Sequence, residues 1–307
     1  MRLGRFRSER NSLWPRRVQF SESSWNVCAA IYVLERQNDD GGYAFSRGTD
    51  SNAKDAYHAL AILRMLNSPL PRIQHTIRWL TEFMPYGLHS RYYVAKALKL
   101  CGRDQDKKRW SHQARTREVM EFEMVDARIG SSIGFEDILM ITELANMGKC
   151  RVNRQNAIGC LLNCQNLDGG FGIQRHSDLT STHYAVASLV NLGYPANALK
   201  GVSGFVSSCE TLSGGFSLVP KTAPPHMEYA YHGLMTASLL GQNPRYPDKI
   251  ARFVFRCQNS NGGFARSEFG ISTFEDTFYA VSILEKIGIK PRLCTISLSP
   301  AFSGGSE

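Results

Sequence analysis

The sequence lacks the features that mark several common classes of protein. It has no run of about 18 apolar residues, so we expect no transmembrane helix. Its N-terminus has no apolar segment of the secretory type, and its eight cysteines include no Cys-x-x-Cys pair. Cytoplasmic proteins rarely depend on disulfides. We therefore predict a reducing, cytoplasmic location with free thiols.

Positive charge is concentrated at the N-terminus. The chain carries a net charge of +9, and residues 1–17 hold six arginines against the single acid Glu9. We expect residues 1–20 to form a flexible, solvated leader, or to contact an anionic membrane surface or an acidic partner. The remainder contains no nucleic-acid reader motif, so we predict no nucleic-acid partner.

A short motif recurs in the sequence. It reads RQNDDGGY at 36–43, CQNLDGGF at 164–171, CETLSGGF at 209–216 and CQNSNGGF at 257–264. From residue 102 onward, an apolar-periodic segment closes on a glycine about every 46 residues. A fixed period of this size indicates a repeat architecture. Because cysteine fills the same position in three copies, we expect those thiols to be packing residues.

Each unit predicts one helical hairpin. Apolar residues follow helical spacing on both sides of the motif, and the glycine pair ends the first helix. No segment alternates apolar and polar residues over enough positions to favour a β-strand. We predict an all-α fold of six hairpins over residues 21–290, followed by a tail at 291–307. Periodicity alone does not decide between an open solenoid and a closed ring.

The motif resembles the repeat of protein prenyltransferase β subunits. Leu161 and Leu162 precede Gln165 in the same way that Phe253 and Val254 precede the later glutamine. Squalene cyclases and class II terpene cyclases carry a related repeat. The resemblance implies an α/α toroid whose inner helices surround an apolar, isoprenoid-binding cavity. It also implies a helical partner subunit, since the β subunits of this family act with an α subunit.

The last two units look most like the end of a type II geranylgeranyltransferase β subunit. In that family an Asp and a Cys, two residues apart, and a later His hold zinc. The positions here are His226, Glu228 and Asp276, and none matches. This set can still bind a divalent metal such as zinc or magnesium, with less preference for zinc. The sequence therefore leaves open a changed metal site, with an acceptor other than a protein thiol, and the loss of the metal.

The resemblance also indicates residues for the diphosphate of a prenyl donor. Lys221 and Tyr229 fall near a Lys and a Tyr of the family. Arg175, His176 and Arg266 follow Gly-Gly-Phe turns and supply further positive charge or hydrogen bonds. The alternative for each cation is an ordinary solvated loop residue.

Two other functions compete with prenyl transfer. Glu275 and Asp276 resemble the acidic element of class II terpene cyclases, in which Asp276 would be the proton donor, assisted by Glu275. Carboxylates at a helix start also serve as N-terminal caps. The third reading is a non-catalytic scaffold that binds a lipid or a protein. Prenyl transfer from a prenyl diphosphate is the most concrete prediction.

Overall fold

The computed structural model describes residues 24–102, 121–122, 134–222 and 224–291. The predicted leader and nearly all of the predicted tail lie outside these ranges. The described residues form helices with two minor additions. Two-residue strands at Glu121–Phe122 and Arg151–Val152 pair in parallel, and a 3₁₀ turn covers Ala196–Ala198. The helices are α1 (Trp25–Leu34), α2 (Ala53–Met65), α3 (Ile73–Glu82), α4 (Gly87–Leu100), α5 (Phe135–Asn146), α6 (Arg154–Leu162), α7 (Leu179–Asn191), α8 (Val202–Cys209), α9 (Met227–Leu239), α10 (Pro247–Arg256) and α11 (Phe274–Lys286).

Six of these helices form a closed inner ring. Helices α2, α4, α5, α7, α9 and α11 pack side by side in that order, and α11 returns to pack against α2. Helices α1, α3, α8 and α10 each contact the inner helix that follows them in the chain, as does α6. The structure therefore confirms the all-α toroid and selects the closed ring over the open solenoid.

The inner helices point in one direction. At their C-terminal ends, Asn146 Nδ2 donates to the carbonyl of Asn191 at 3.1 Å, and Arg64 donates to that of Leu100 at 3.1 Å. At their N-terminal ends, consecutive loops touch, because the Met227 amide donates to the Arg266 carbonyl at 2.8 Å. We call this end of the ring the N-terminal face. Six helix N-termini, which are the positive ends of the helix dipoles, therefore surround one mouth of the central lumen.

The glycine pair of the motif lets each turn press against the next outer helix. Gly262 has φ +87°, and a Cβ there would overlap the carbonyl oxygen of Cys28 in the first turn of α1. A Cβ at Gly169 would likewise overlap the backbone of Gly201, at the start of α8. Only glycine permits both the left-handed backbone and the close approach. The motif thus joins neighbouring units, and its last copy joins the end of the ring to its beginning.

The motif glutamine locks the same junction. Gln258 Nε2 donates to the carbonyls of its own turn at Gly262 (2.9 Å) and of Trp25 (3.0 Å). In the motif copy at 209–216, where glutamate replaces the glutamine, the hydrogen bonds run in the opposite direction. The Glu210 carboxylate accepts from the amides of Arg245 (3.0 Å) and Tyr246 (2.9 Å). A carboxylate therefore replaces the amide because the opposing groups are N–H donors.

Packing accounts for the repeated cysteines. Cys209 and Cys257 are fully buried, Cys164 is half-buried, and none of the three forms a disulfide with a described residue. The prediction that they pack in the interior is confirmed for the two buried ones. Among the described residues, no helix has the length and apolar content needed to cross a membrane.

Candidate functional site

The second residue of the inner helices lies at the mouth of the lumen. This position holds Lys54, Glu136, Thr180, Glu228 and Glu275 on α2, α5, α7, α9 and α11. Lys54 Nζ is 2.8 Å from Glu275 Oε1. Burial raises the pKa of Glu136 and of Glu228, with Glu275 adding to both shifts. The mouth is therefore acidic on three sides and holds a cation from α2.

Arg266 gathers three of the predicted site residues. Its Nη2 lies 3.4 Å from Glu228 Oε2 and donates to the Tyr229 hydroxyl at 3.4 Å. Its Nε donates to His226 Nδ1 at 3.3 Å, and the His226 and Tyr229 rings stack with centroids 5.1 Å apart. Burial lowers the pKa of His226, and the Arg266 charge lowers it further. The neutral imidazole can therefore accept from the guanidinium.

Asp276 has a different environment. Its Oδ2 accepts from the Thr273 hydroxyl at 2.7 Å, and its amide donates to the same hydroxyl oxygen at 2.9 Å. Burial raises the pKa of Asp276 to about 6, against the lowering effect of the Thr273 hydrogen bond. Asp55 and Asp137 occupy the same third helical position, and each accepts from a backbone amide that precedes its helix, that of Phe45 in the loop before α2 and that of Gly134 directly before α5. The contacts of Asp276 are therefore those of a carboxylate at a helix N-terminus, which was the alternative to a proton donor.

The predicted metal positions do not fit a shared metal ion. His226 and Glu228 face the guanidinium of Arg266, a cation that competes directly with a metal, and Asp276 is bonded to Thr273. Within the described residues, no group of three His, Cys, Asp or Glu side chains is placed to hold a metal.

The other predicted diphosphate ligands lie apart from Arg266. Arg175 and His176 are exposed in the loop before α7, and Lys221 is exposed in the loop before α9. Arg175 and Lys221 have positive φ, at 64° and 62°. Their side chains have no hydrogen bond or ion pair with the described residues. They belong to the same face as Arg266, and no contact joins them to it.

Aromatic side chains form the wall of the lumen one turn below the mouth. Phe278 on α11 lies 5.9 Å from Tyr57 on α2 and 5.8 Å from Tyr231 on α9, measured between ring centroids. Tyr57 continues the contact to Tyr93 on α4 at 5.7 Å, and Tyr231 stacks on Tyr279 at 4.5 Å. Tyr231 and Tyr279 remain partly accessible although burial raises the pKa of both. That combination is expected of side chains around an internal space.

Buried neutral histidines extend this wall. His183 and His232 stack with centroids 4.6 Å apart, and their Nδ1 atoms lie 3.0 Å and 3.2 Å from threonine hydroxyls. His58 is 3% exposed and stacks on Phe278, and its Nδ1 has no hydrogen-bond partner among the described residues. Burial lowers the pKa of His58 to about 3 and that of His183 to about 4.

A charged pair lies deeper in the lumen and was missed by the sequence analysis. Lys96 Nζ on α4 is 2.6 Å from Glu143 Oε2 on α5, and the Tyr92 hydroxyl donates to the same oxygen at 2.8 Å. Lys96 Nζ also lies 5.2 Å from the ring centroid of Tyr57, a residue of the aromatic wall. The pair therefore lies next to that wall. In the sequence, Lys96 is one of several cations on α4, and only Glu143 stands out as a charge within a mostly apolar helical stretch.

Comparison with known proteins agrees with this architecture. The prenyltransferase alpha-alpha toroid domain model matches residues 21–91 and 137–300. The geranylgeranyl transferase type-1 subunit beta of Arabidopsis thaliana is 28% identical over 162 residues, which are 47% of this chain and 42% of that protein. The chain thus aligns with less than half the length of that relative.

Solved structures share the fold at low identity. Candida albicans protein geranylgeranyltransferase-I, complexed with GGPP, superposes with a TM-score of 0.61 at 15% identity, over 86% of this chain and 89% of that one. A type II terpene cyclase from Scytonema superposes with a TM-score of 0.55 at 9% identity, over 87% and 96%. The ring, its repeats and the family match lead to one conclusion: the chain belongs to the prenyltransferase α/α-toroid family.

Proposed function

We propose that this protein binds a prenyl diphosphate and transfers its prenyl group to an acceptor. The observation that carries the proposal is the position of Arg266, at the mouth and beside Tyr229, above the aromatic wall. A guanidinium binds diphosphate oxygens through charge-assisted hydrogen bonds. The six inner-helix N-termini add positive potential at the same end.

The isoprenoid chain would extend from Arg266 down the lumen. Aromatic faces of Tyr57, Tyr231 and Phe278 bury an unsaturated hydrocarbon well and stabilise positive charge that develops on it. The Lys96–Glu143 pair lies about two turns below the mouth, or roughly 10 Å at 1.5 Å per residue. The apolar part of the site on that side of the ring therefore ends at this pair.

Diphosphate binding would rearrange the Arg266 cluster. When the guanidinium turns to the diphosphate, Glu228 loses its cationic partner, and burial already raises the pKa of this carboxyl. Glu228 is then suited to accept the proton of an acceptor nucleophile. The new bond forms from the acceptor to C1 of the prenyl chain, the C1–O bond breaks, and diphosphate leaves with the electron pair beside Arg266.

Calorimetric titration with geranylgeranyl diphosphate and with geranylgeraniol tests the proposal. We expect Arg266→Gln to weaken diphosphate binding at least tenfold and to leave the alcohol unaffected, because only the diphosphate uses the cation. Arg47→Gln is the matched control, since Arg47 forms an exposed ion pair with Glu35 at 3.1 Å in the first unit. Absence of saturable binding, or equal losses in the two variants, would contradict the proposal.

Acid-initiated terpene cyclisation is the second candidate, favoured by the raised pKa of Asp276. Asp276→Asn would abolish product formation from a linear terpenoid if this residue is the acid. Prenyl transfer predicts that the same variant keeps its activity. Isoprenoid binding by the wild type with no product from either class of substrate would favour the scaffold.

We further propose that the protein acts with a helical partner subunit, as the name of the Arabidopsis relative describes a subunit. The cytoplasmic location stays a prediction that fractionation of cells would test. The leader over residues 1–20 and the tail over 291–307 are proposed to lie outside a single toroid domain.

A further inference from the structure

A cavity continues the lumen below the aromatic wall. It has a volume of about 750 Å³ and extends from Tyr231, a member of that wall, to Gly241 and Pro244 in the loop after α9. The path from Tyr231 to the end of α9 at Leu239 measures about 12 Å at 1.5 Å per residue. The cavity therefore reaches the C-terminal end of the ring, opposite the mouth. We call it the lower channel.

Helices α9 and α11 each turn one face to the lower channel. Met235 and Ser238 line it and follow Tyr231 at intervals of four and three residues, so all three lie on one face of α9. Ser282 lines it from α11 and follows Phe278 by four residues. Because Tyr231 and Phe278 belong to the aromatic wall, the lower channel is a continuation of the lumen and not a groove on the outside of the ring.

Small side chains stand where a floor would close the lumen. Ser282 lies one turn below Phe278, and Ala61 lies one turn below Tyr57 on the neighbouring α2. The Ser282 hydroxyl donates to the carbonyl of Phe278 at 2.7 Å, so its hydrogen bond is made within its own helix. The flexible, unbranched side chain of Met235 can adapt to a hydrocarbon that passes it. The lining is therefore compatible with an isoprenoid chain.

The opposite side of the ring is less suited to a hydrocarbon. There Lys96 and Glu143 form their ion pair at 2.6 Å, with side chains that are 24% and 28% exposed. A hydrocarbon packed on this pair would remove the remaining water from two charges, which is unfavourable. A chain that descends from the aromatic wall is therefore directed along α9 and α11 into the lower channel.

We propose that the lower channel is an exit for the distal end of the prenyl chain, so that the protein accepts polyprenyl diphosphates longer than the ring is tall. The inference rests on the proposed function, which places the diphosphate at Arg266 and the first isoprene units against the aromatic wall. The 13 residues of α9 span about 20 Å. An extended carbon chain advances about 1.2 Å per bond, so four isoprene units need about 19 Å and six need about 29 Å. Six units therefore fit only if the lumen has no floor.

Competition against labelled geranylgeranyl diphosphate, with farnesyl, geranylgeranyl and hexaprenyl diphosphates in one non-ionic detergent, tests the proposal on the full chain. We expect the wild type to bind the hexaprenyl compound within about threefold of the geranylgeranyl compound, because the protruding units neither clash nor gain burial. Ser238→Trp fills the exit and should weaken hexaprenyl binding at least tenfold. Binding of the farnesyl compound, which is too short to reach the exit, should stay unchanged and shows that the variant is folded. Leu239→Trp is the matched control, since Leu239 is 37% exposed and does not line the lower channel.

Two results would overturn the inference. One is a wild type that binds the farnesyl and geranylgeranyl compounds and rejects the hexaprenyl compound, which would place a floor in the lumen. The other is hexaprenyl binding that the two tryptophan variants change equally or not at all, which would place the distal chain elsewhere. Binding of none of the three diphosphates would contradict the proposed function together with this inference, so the two failures are distinguishable.

Discussion

Closure of the ring makes a specific prediction about two glycines. Gly262 and Gly288 both have φ +87°, but a Cβ at Gly288 meets no atom within 4 Å, whereas one at Gly262 overlaps the Cys28 carbonyl. Alanine at either position costs roughly 1–2 kcal/mol for the left-handed backbone. Only Gly262→Ala also forces α1 away from the last turn, which adds roughly 1–3 kcal/mol.

Urea unfolding followed by circular dichroism measures the difference. We expect Gly288→Ala to lower the free energy of unfolding by about 1–2 kcal/mol and Gly262→Ala to lower it by about 2–5 kcal/mol. Both substitutions reduce the entropy of the unfolded chain equally, so this effect cancels between them. Equal losses in the two variants would refute the claim that the last motif presses against α1.

Two further predictions concern ionisable side chains of the inner helices, Asp276 and the Lys96–Glu143 pair. Asp276 has a folded pKa of about 6, above its ordinary value of 3.8, so the folded state binds more protons and stability falls as pH rises through the window from about 4 to 6. Urea unfolding as a function of pH should show this decline, up to about 3 kcal/mol, and Asp276→Asn should flatten it; an unchanged slope in the variant would assign the decline to other groups. Lys96→Met should destabilise the fold by roughly 1–3 kcal/mol because Glu143, whose side chain is 28% exposed, loses its cationic partner and keeps only the hydrogen bond from Tyr92, and Lys96→Met with Glu143→Leu should recover most of that loss. Thermal and urea unfolding of the single and double variants would contradict this if the double variant were the less stable.

The repeat pattern predicts most of the fold from the sequence, but it does not show whether the repeats close into a ring. A helical hairpin, its glycine turn and its period are local properties, so they appear as patterns along the chain. Contact between α11 and α2 joins residues more than 200 positions apart and has no periodic signature. The hydrogen bond from Gln258 to Trp25 is one of the contacts that join the last unit to the first. The same glutamine in an open solenoid would have a different partner.

The candidate site was predictable where it followed the motif. Arg266 comes two residues after a Gly-Gly-Phe turn, and the structure places it against His226, Glu228 and Tyr229. The sequence also predicted that Asp276 shares a metal site with His226 and Glu228, but in the structure its carboxylate is bonded to Thr273. A sequence alignment gives the position of a residue along its helix and does not show which side chains lie beside it. The Lys96–Glu143 pair was missed because a helical pattern does not show which face borders an internal space.

A crystal structure with geranylgeranyl diphosphate would test the central claim most directly. The account predicts the prenyl chain between Tyr57, Tyr231 and Phe278, and the diphosphate on Arg266. Another cavity of about 460 Å³ lies on the outer wall and is lined in part by Trp25 and residues of α10. Ligand in that outer cavity, with the lumen unfilled, would contradict the account.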